Sequence, residues 1–124
     1  MEEAKKLFER ALSGRERLFG PNHADTLSTV HNLATLLKKQ GNLEEAKKLY
    51  ERALLGQDRL LGPNHADTLS TVNNLAGLLY NQGKFEEAKK LFEKALSGFE
   101  RLLGPNHQYT KQVASNLAIL KNKK

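Results

Sequence analysis

The sequence predicts an all-α fold of about six helices stacked as a solenoid, and three observations predict it. Residues 2–43 match residues 44–85 at 31 of 42 positions without a gap, and a shortened third copy, 86–124, matches the second at 22 of 39. Each copy carries two apolar stretches at helical spacing. No segment shows the alternation of a strand bounded by hairpin turns. A fixed period of roughly 20–50 residues marks an array whose units hide their apolar faces only by stacking on neighbours. At 124 residues and 13.9 kDa the chain fits one modest domain, so 1–124 is expected to be a single repeat domain with units 2–43, 44–85 and 86–124.

The elements follow in order. The first helix, about 2–18, carries Ala4, Leu7, Phe8 and Ala11 at i, i+3, i+4 and i+7, one stripe of a helix. The sequence opens inside a unit, so this reads as the second helix of a pair without its own partner, and its stripe is expected to be partly uncovered. Gly20-Pro21 ends it, because Gly accepts a closing conformation with positive φ and Pro cannot continue the ladder. The second helix, about 24–40, has the stripe Leu27, Val30, Leu33 and Leu37 and stops at Gly41. The third repeats the first with Ala46, Leu49, Tyr50, Ala53 and Leu54, extended by Leu60 and Leu61. Its polar side sets Glu44 four residues before Lys48, worth about 0.3 kcal/mol on a solvated face.

After Gly62-Pro63, Asn64 or His65 is placed to cap the fourth helix, about 66–82, and Asp67 suits the positive end of its dipole. The third copy supplies a fifth helix and a final one, about 108–121. In that last helix Lys111 and Lys121 replace Leu69 and Leu79, which reads as the polar C-terminal cap that solenoid ends require. Gly14, Gly56 and Gly98 fall mid-helix, where Gly costs about 1 kcal/mol against Ala. Close approach of a neighbouring helix is the expected reason.

These residues resemble the tetratricopeptide repeat. The stretch Asn32-Leu33-Ala34, Leu36-Leu37, Gln40-Gly41-Asn42-Leu43-Glu44-Glu45-Ala46, Tyr50, Ala53-Leu54 has the family's small residue in the first helix of a unit, Gly in the turn, and Ala, aromatic, Ala in the second. The 42-residue period, with Arg59-Leu60-Leu61-Gly62-Pro63-Asn64-His65 as the surplus, resembles the longer variant of kinesin light chains. The resemblance spans essentially the whole chain and implies a right-handed superhelix of antiparallel helix pairs. Val30 and Val72 stand where the short repeat favours Trp, and Leu37 and Leu79 where it favours Tyr. Ala66 replaces the Pro that commonly follows this His in the light-chain type, which leaves side-chain capping to do more.

Function is expected on one face. Helices 24–40 and 66–82 differ at only four positions, His31/Asn73, Thr35/Gly77, Lys38/Tyr80 and Lys39/Asn81. Their spacing puts them roughly opposite the apolar stripe, so the repeats keep a packing side and vary another. The resemblance implies that this face lines a concave groove for partner peptides, formed by Ser28, His31, Asn32, Thr35, Lys38 and Lys39, then Ser70, Asn73, Asn74, Gly77, Tyr80 and Asn81, then Gln112, Ser115, Asn116 and Ile119. Asn amides match both donors and acceptors of an extended backbone, Lys38 and Lys39 favour acidic side chains, and Tyr80 offers a ring with a polar tip. The clamp for a terminal carboxylate found in chaperone adaptors needs Lys and Asn where His31 or Asn73 and Thr35 or Gly77 stand, so that ligand is not expected.

Other classes are weaker. The net charge of +6 comes half from Lys121, Lys123 and Lys124, and the chain has no Trp, so a nucleic-acid partner is not expected. His23, His65 and His107 recur one period apart, too far for one metal ion, and neither a catalytic set nor a cofactor motif stands out. The sequence therefore reads as a soluble, cytoplasmic, non-catalytic module that binds a protein or peptide, with no cofactor and no membrane span. The competing reading is a structural or consensus-like engineered repeat that associates head to tail through Ala4, Leu7, Phe8 and Ala11 and has no cognate ligand.

Overall fold

The computed structural model describes residues 2–121. It contains six helices, α1 (Glu2–Phe19), α2 (Ala24–Lys39), α3 (Leu43–Leu60), α4 (Ala66–Asn81), α5 (Phe85–Leu103) and α6 (Gln108–Lys121). Among the described residues there is no strand. The expected boundaries hold to within one residue for α1, α2, α4 and α6. The chain divides into two compact units, Met1–Gly62 with α1 to α3 and Pro63–Lys124 with α4 to α6.

In the first unit α2 packs against both α1 and α3. The α2–α3 contacts run from Thr35–Tyr50 to Leu27–Gly56, falling along one helix as they rise along the other, so the pair is antiparallel. The turn between them is short because α2 closes in a Schellman arrangement. Gly41 N–H donates to the Lys38 carbonyl at 3.0 Å, and Asn42 N–H to the Leu37 carbonyl at 2.9 Å. This needs positive φ at the residue after the cap, and Gly41 has φ 87°.

Between α2 and α3 the core is Leu27, Val30, Ala34 and Leu37 against Ala46, Tyr50 and Ala53, each 0 or 1 % exposed. Full burial of a side chain such as Leu27 contributes about 1.5–3 kcal/mol. Helices α1 and α3 are also joined, since the Arg52 guanidinium donates to the Glu16 carboxylate.

The second unit repeats the pattern. α4 packs on α5, and α5 also meets α6. Leu69, Val72 and Ala76 of α4 lie buried against Ala88, Phe92 and Ala95, and α6 adds Val113, Leu117 and Leu120. The Gly83 N–H donates to Tyr80 and the Lys84 N–H to Leu79, both at 2.9 Å, closing α4 as α2 is closed. At its far end α5 stops on Gly104, whose φ 91° and ψ 159° lie in a region that only Gly enters freely.

The mid-helix glycines separate into two cases. A Cβ at Gly56 would stand 2.6 and 2.8 Å from the two methyl groups of Leu27, and a Cβ at Gly98 would meet those of Leu69 at the same distances. Close approach therefore explains both. Gly14 has nothing within 4 Å of such a Cβ, so the expectation of a neighbouring helix does not hold there. It occupies the corresponding place on α1, where the described residues supply no counterpart to Leu27.

Candidate interaction face

The residues expected to meet a partner lie on α2 in the first unit and on α4 and α6 in the second. On α2, Ser28, Asn32 and Lys39 are exposed, and His31, Thr35 and Lys38 are half-buried. On α4, Ser70, Asn73, Asn74, Gly77 and Tyr80 are half-buried and Asn81 is exposed. On α6, Gln112, Ser115 and Ile119 are exposed and Asn116 is half-buried. None belongs to the buried core, and the apolar stripe beside them does.

The structure brings two of the α2 residues, His31 and Thr35, into one cluster with Tyr50. The Tyr50 hydroxyl reaches across from α3 to lie 2.7 Å from Thr35 Oγ1. Thr35 has a single hydroxyl proton, which it donates to the His31 carbonyl at 3.1 Å, so Tyr50 is the donor in the pair. The His31 ring stands edge-on to the Tyr50 ring, with centroids 5.5 Å apart and an interplanar angle of 81°. Burial raises the Tyr50 phenol above its ordinary value, and the hydroxyl contact with Thr35 works the other way. Lys38, one turn further on, has its ammonium pushed below the ordinary value by burial.

The second unit builds the same position differently. Gly77 stands where α2 has Thr35, and Phe92 where α3 has Tyr50. Where the ring lacks a hydroxyl, the facing helix lacks one too. Part of the difference between repeats is thus a matched pair across a helix–helix contact, a signal present in the sequence but visible only once positions 35 and 50 are known to touch. Tyr80 leans on Phe85 with centroids 5.4 Å apart. The side-chain carbonyl of Asn73 is shielded from solvent and has no hydrogen-bond partner.

The face of α1 is open by comparison. Leu7 is 63 % exposed, Ala11 is exposed and Ala4 and Phe8 are half-exposed, and no residue of the helix is buried. The counterparts of Ala4, Phe8 and Ala11 on the later helices, Ala46, Tyr50 and Ala53 and Ala88, Phe92 and Ala95, are at most 3 % exposed, while those of Leu7, namely Leu49 and Leu91, are half-buried. The three loop histidines are part of the helix starts: His23, His65 and His107 each accept, through Nδ1, the backbone N–H two residues on. Of Asn64 and His65, His65 is therefore the cap. No group of three His, Cys, Asp or Glu is arranged to hold a metal ion among the described residues.

Comparison with known families completes the description. One tetratricopeptide repeat model matches residues 1–54 and 25–76, and a second matches residues 68–109. The chain belongs to the tetratricopeptide repeat family. Its fold is similar to the nearly identical TPR-like repeats of a kinesin-light-chain-type protein from Podosopora anserina, with TM-score 0.89, 24 % identity, and coverage of 96 % of this chain and 56 % of that one. A variant of those repeats matches with TM-score 0.88 at the same identity and coverage. BtubC (BKLC) from P. vanneervenii matches with TM-score 0.88 at 26 % identity, over 96 % of this chain and 48 % of its own. The chain thus spans about half the length of these structures. No curated protein matches it. The tetratricopeptide fold is of kinesin-light-chain-like type here and is generally a non-catalytic scaffold for protein interaction. No described helix is long and apolar enough to cross a membrane.

Proposed function

We propose that this tetratricopeptide chain is a non-catalytic, cytoplasmic module that captures a peptide segment of a partner protein along the exposed faces of its first-type helices. One observation carries the reading. The residues that differ between α2 and α4 all lie outside the buried core, whereas the leucines and valine of the packing stripe are identical and buried. In the second unit Asn73, Asn74 and Tyr80 are half-buried on this face and offer amide and phenol groups to an extended peptide backbone. In the first unit, Lys38 and Lys39 favour an acidic side chain on the ligand.

The test is a peptide-display screen against the parent protein, repeated with Asn73→Ala, Asn74→Ala and Tyr80→Ala combined. Selected peptides should lose most of their binding to the substituted protein. Equal binding to both would remove the face from the function.

A second reading has its own observation. The open stripe on α1 favours end-to-end association of copies through Ala4, Leu7, Phe8 and Ala11, since the alanines and the aromatic ring at the equivalent places are buried on α3 and α5 and the leucines half-buried. In this reading the repeat is structural and has no cognate ligand.

A further inference from the structure

The helices α2, α4 and α6 start in the same way. Asp25 N–H donates to His23 Nδ1 at 3.1 Å, Asp67 N–H to His65 Nδ1 at 3.0 Å, and Tyr109 N–H to His107 Nδ1 at 3.1 Å. The backbone of the first two caps is extended, at φ −72°, ψ 148° and φ −73°, ψ 145°. Histidine is an unusual cap, because the Ser, Thr, Asp and Asn that normally serve do not lose their acceptor between pH 5 and 8. An imidazole accepts through Nδ1 only when its proton sits on Nε2. The imidazolium carries N–H at both nitrogens and accepts nothing.

We infer that the three histidine caps make the starts of α2, α4 and α6 a repeated pH-sensitive device, closed by the neutral ring and opened when the ring gains its second proton. With that second proton in place each cap would set a ring donor against a backbone donor, at the helix end where positive charge is already disfavoured. The cap contribution is thus present while the rings are neutral and lost as they protonate.

The surrounding charges grade the response. Beside His23, the Phe19 ring of α1 stacks at 4.6 Å, and Arg15 of α1 reaches the Asp25 carboxylate at 3.8 Å. The same end of α1 holds Arg17 and Glu16, the latter engaged with Arg52 of α3. The last turns of α3 and α5, which pack on α2 and α4, carry Arg59 and Arg101. In their first turns α2 and α4 have Asp25 and Asp67, which partly offset a charged ring, but α6 has no acidic residue in its first turn. His107 instead faces the Tyr109 ring at 5.0 Å, and Phe99 of α5 stands where α1 has Arg15. The start of α6 should open furthest.

The experiment compares the parent with His23→Asn, His65→Asn and His107→Asn combined, since Asn caps a helix at any of these pH values. His31 stays in both proteins. Between pH 7.5 and 5.0 the parent Tm should fall by roughly 10 °C, and the variant by no more than about a third of that. An equal fall in both overturns the inference. Nitrogen NMR of the parent's imidazoles decides the matter if the variant does not fold. The Nε2–H tautomer is expected at pH 7.5, with the protection factors of the Asp25, Asp67 and Tyr109 amides, taken against intrinsic exchange at each pH, falling about tenfold as the rings protonate, most of all at Tyr109. The Nδ1–H tautomer, or protection indifferent to ring protonation, overturns it equally.

Discussion

The hydroxyl pair of Thr35 and Tyr50 shows how one atom ties two helices together. Tyr50 is wholly buried, so its hydroxyl needs a partner, and Thr35 is the partner within reach. Tyr50→Phe should therefore cost about 1 kcal/mol, read as a lower urea midpoint at unchanged slope. Because Tyr50 titrates above its ordinary 10.0 in the folded chain, the unfolded phenol ionises first. The stability tied to its neutral form is complete below that value and drains away as pH climbs through the folded one, so Tyr50→Phe should flatten the alkaline end of the stability profile. Lys38 has the opposite sign. Its ammonium is disfavoured by burial, so the folded chain gives up that proton before the unfolded chain does, and this group's contribution rises with pH up to the ordinary 10.5. At neutral pH its charge is a cost, and Lys38→Met should leave the urea midpoint unchanged or raise it. A clear fall would show that the ammonium has a stabilising role.

At the scale of an element, three equivalent glycines are predicted to answer differently to one substitution. In Gly14→Ala the new methyl meets nothing, and α1 gains helix propensity worth about 1 kcal/mol. In Gly56→Ala it meets both methyl groups of Leu27, which is 1 % exposed. Overpacking of that kind costs about 1–3 kcal/mol, enough to cancel or exceed the propensity gain. Thermal melts should show Gly14→Ala above the parent and Gly56→Ala below it. Matching shifts in the two variants would mean that Leu27 yields more easily than its burial implies. The letters around Gly14, Gly56 and Gly98 are nearly the same, so the difference was not legible in the sequence: it depends on whether a leucine lies opposite.

For the molecule as a whole, the open stripe on α1 makes a prediction about association. If copies stack through it, light scattering should show apparent mass growing with concentration, and Leu7→Glu or Phe8→Glu should return the protein to a monomer. A parent that stays monomeric at high concentration would set the end-to-end reading aside and leave peptide capture. The helix count, the helix ends and the family were all legible, because a 42-residue period written nearly three times repeats every local signal: apolar spacing, glycine stops and caps. Placement of the variable positions outside the core was legible for the same reason, but that Thr35 varies together with the Tyr50 it touches was not.

What the sequence determined by itself is therefore everything that depends on near neighbours along the chain, from helix spacing and turn glycines to the alternation of a kept side and a varied side. Only tertiary structure decided that Tyr50 donates to Thr35, that Gly56 and Gly98 each make room for a leucine while Gly14 does not, and that histidine rather than asparagine closes the helix starts. Such contacts depend on atoms far apart in the chain, or on one side-chain rotamer chosen over another. Spacing along a sequence carries no information about either until the helices are set against each other.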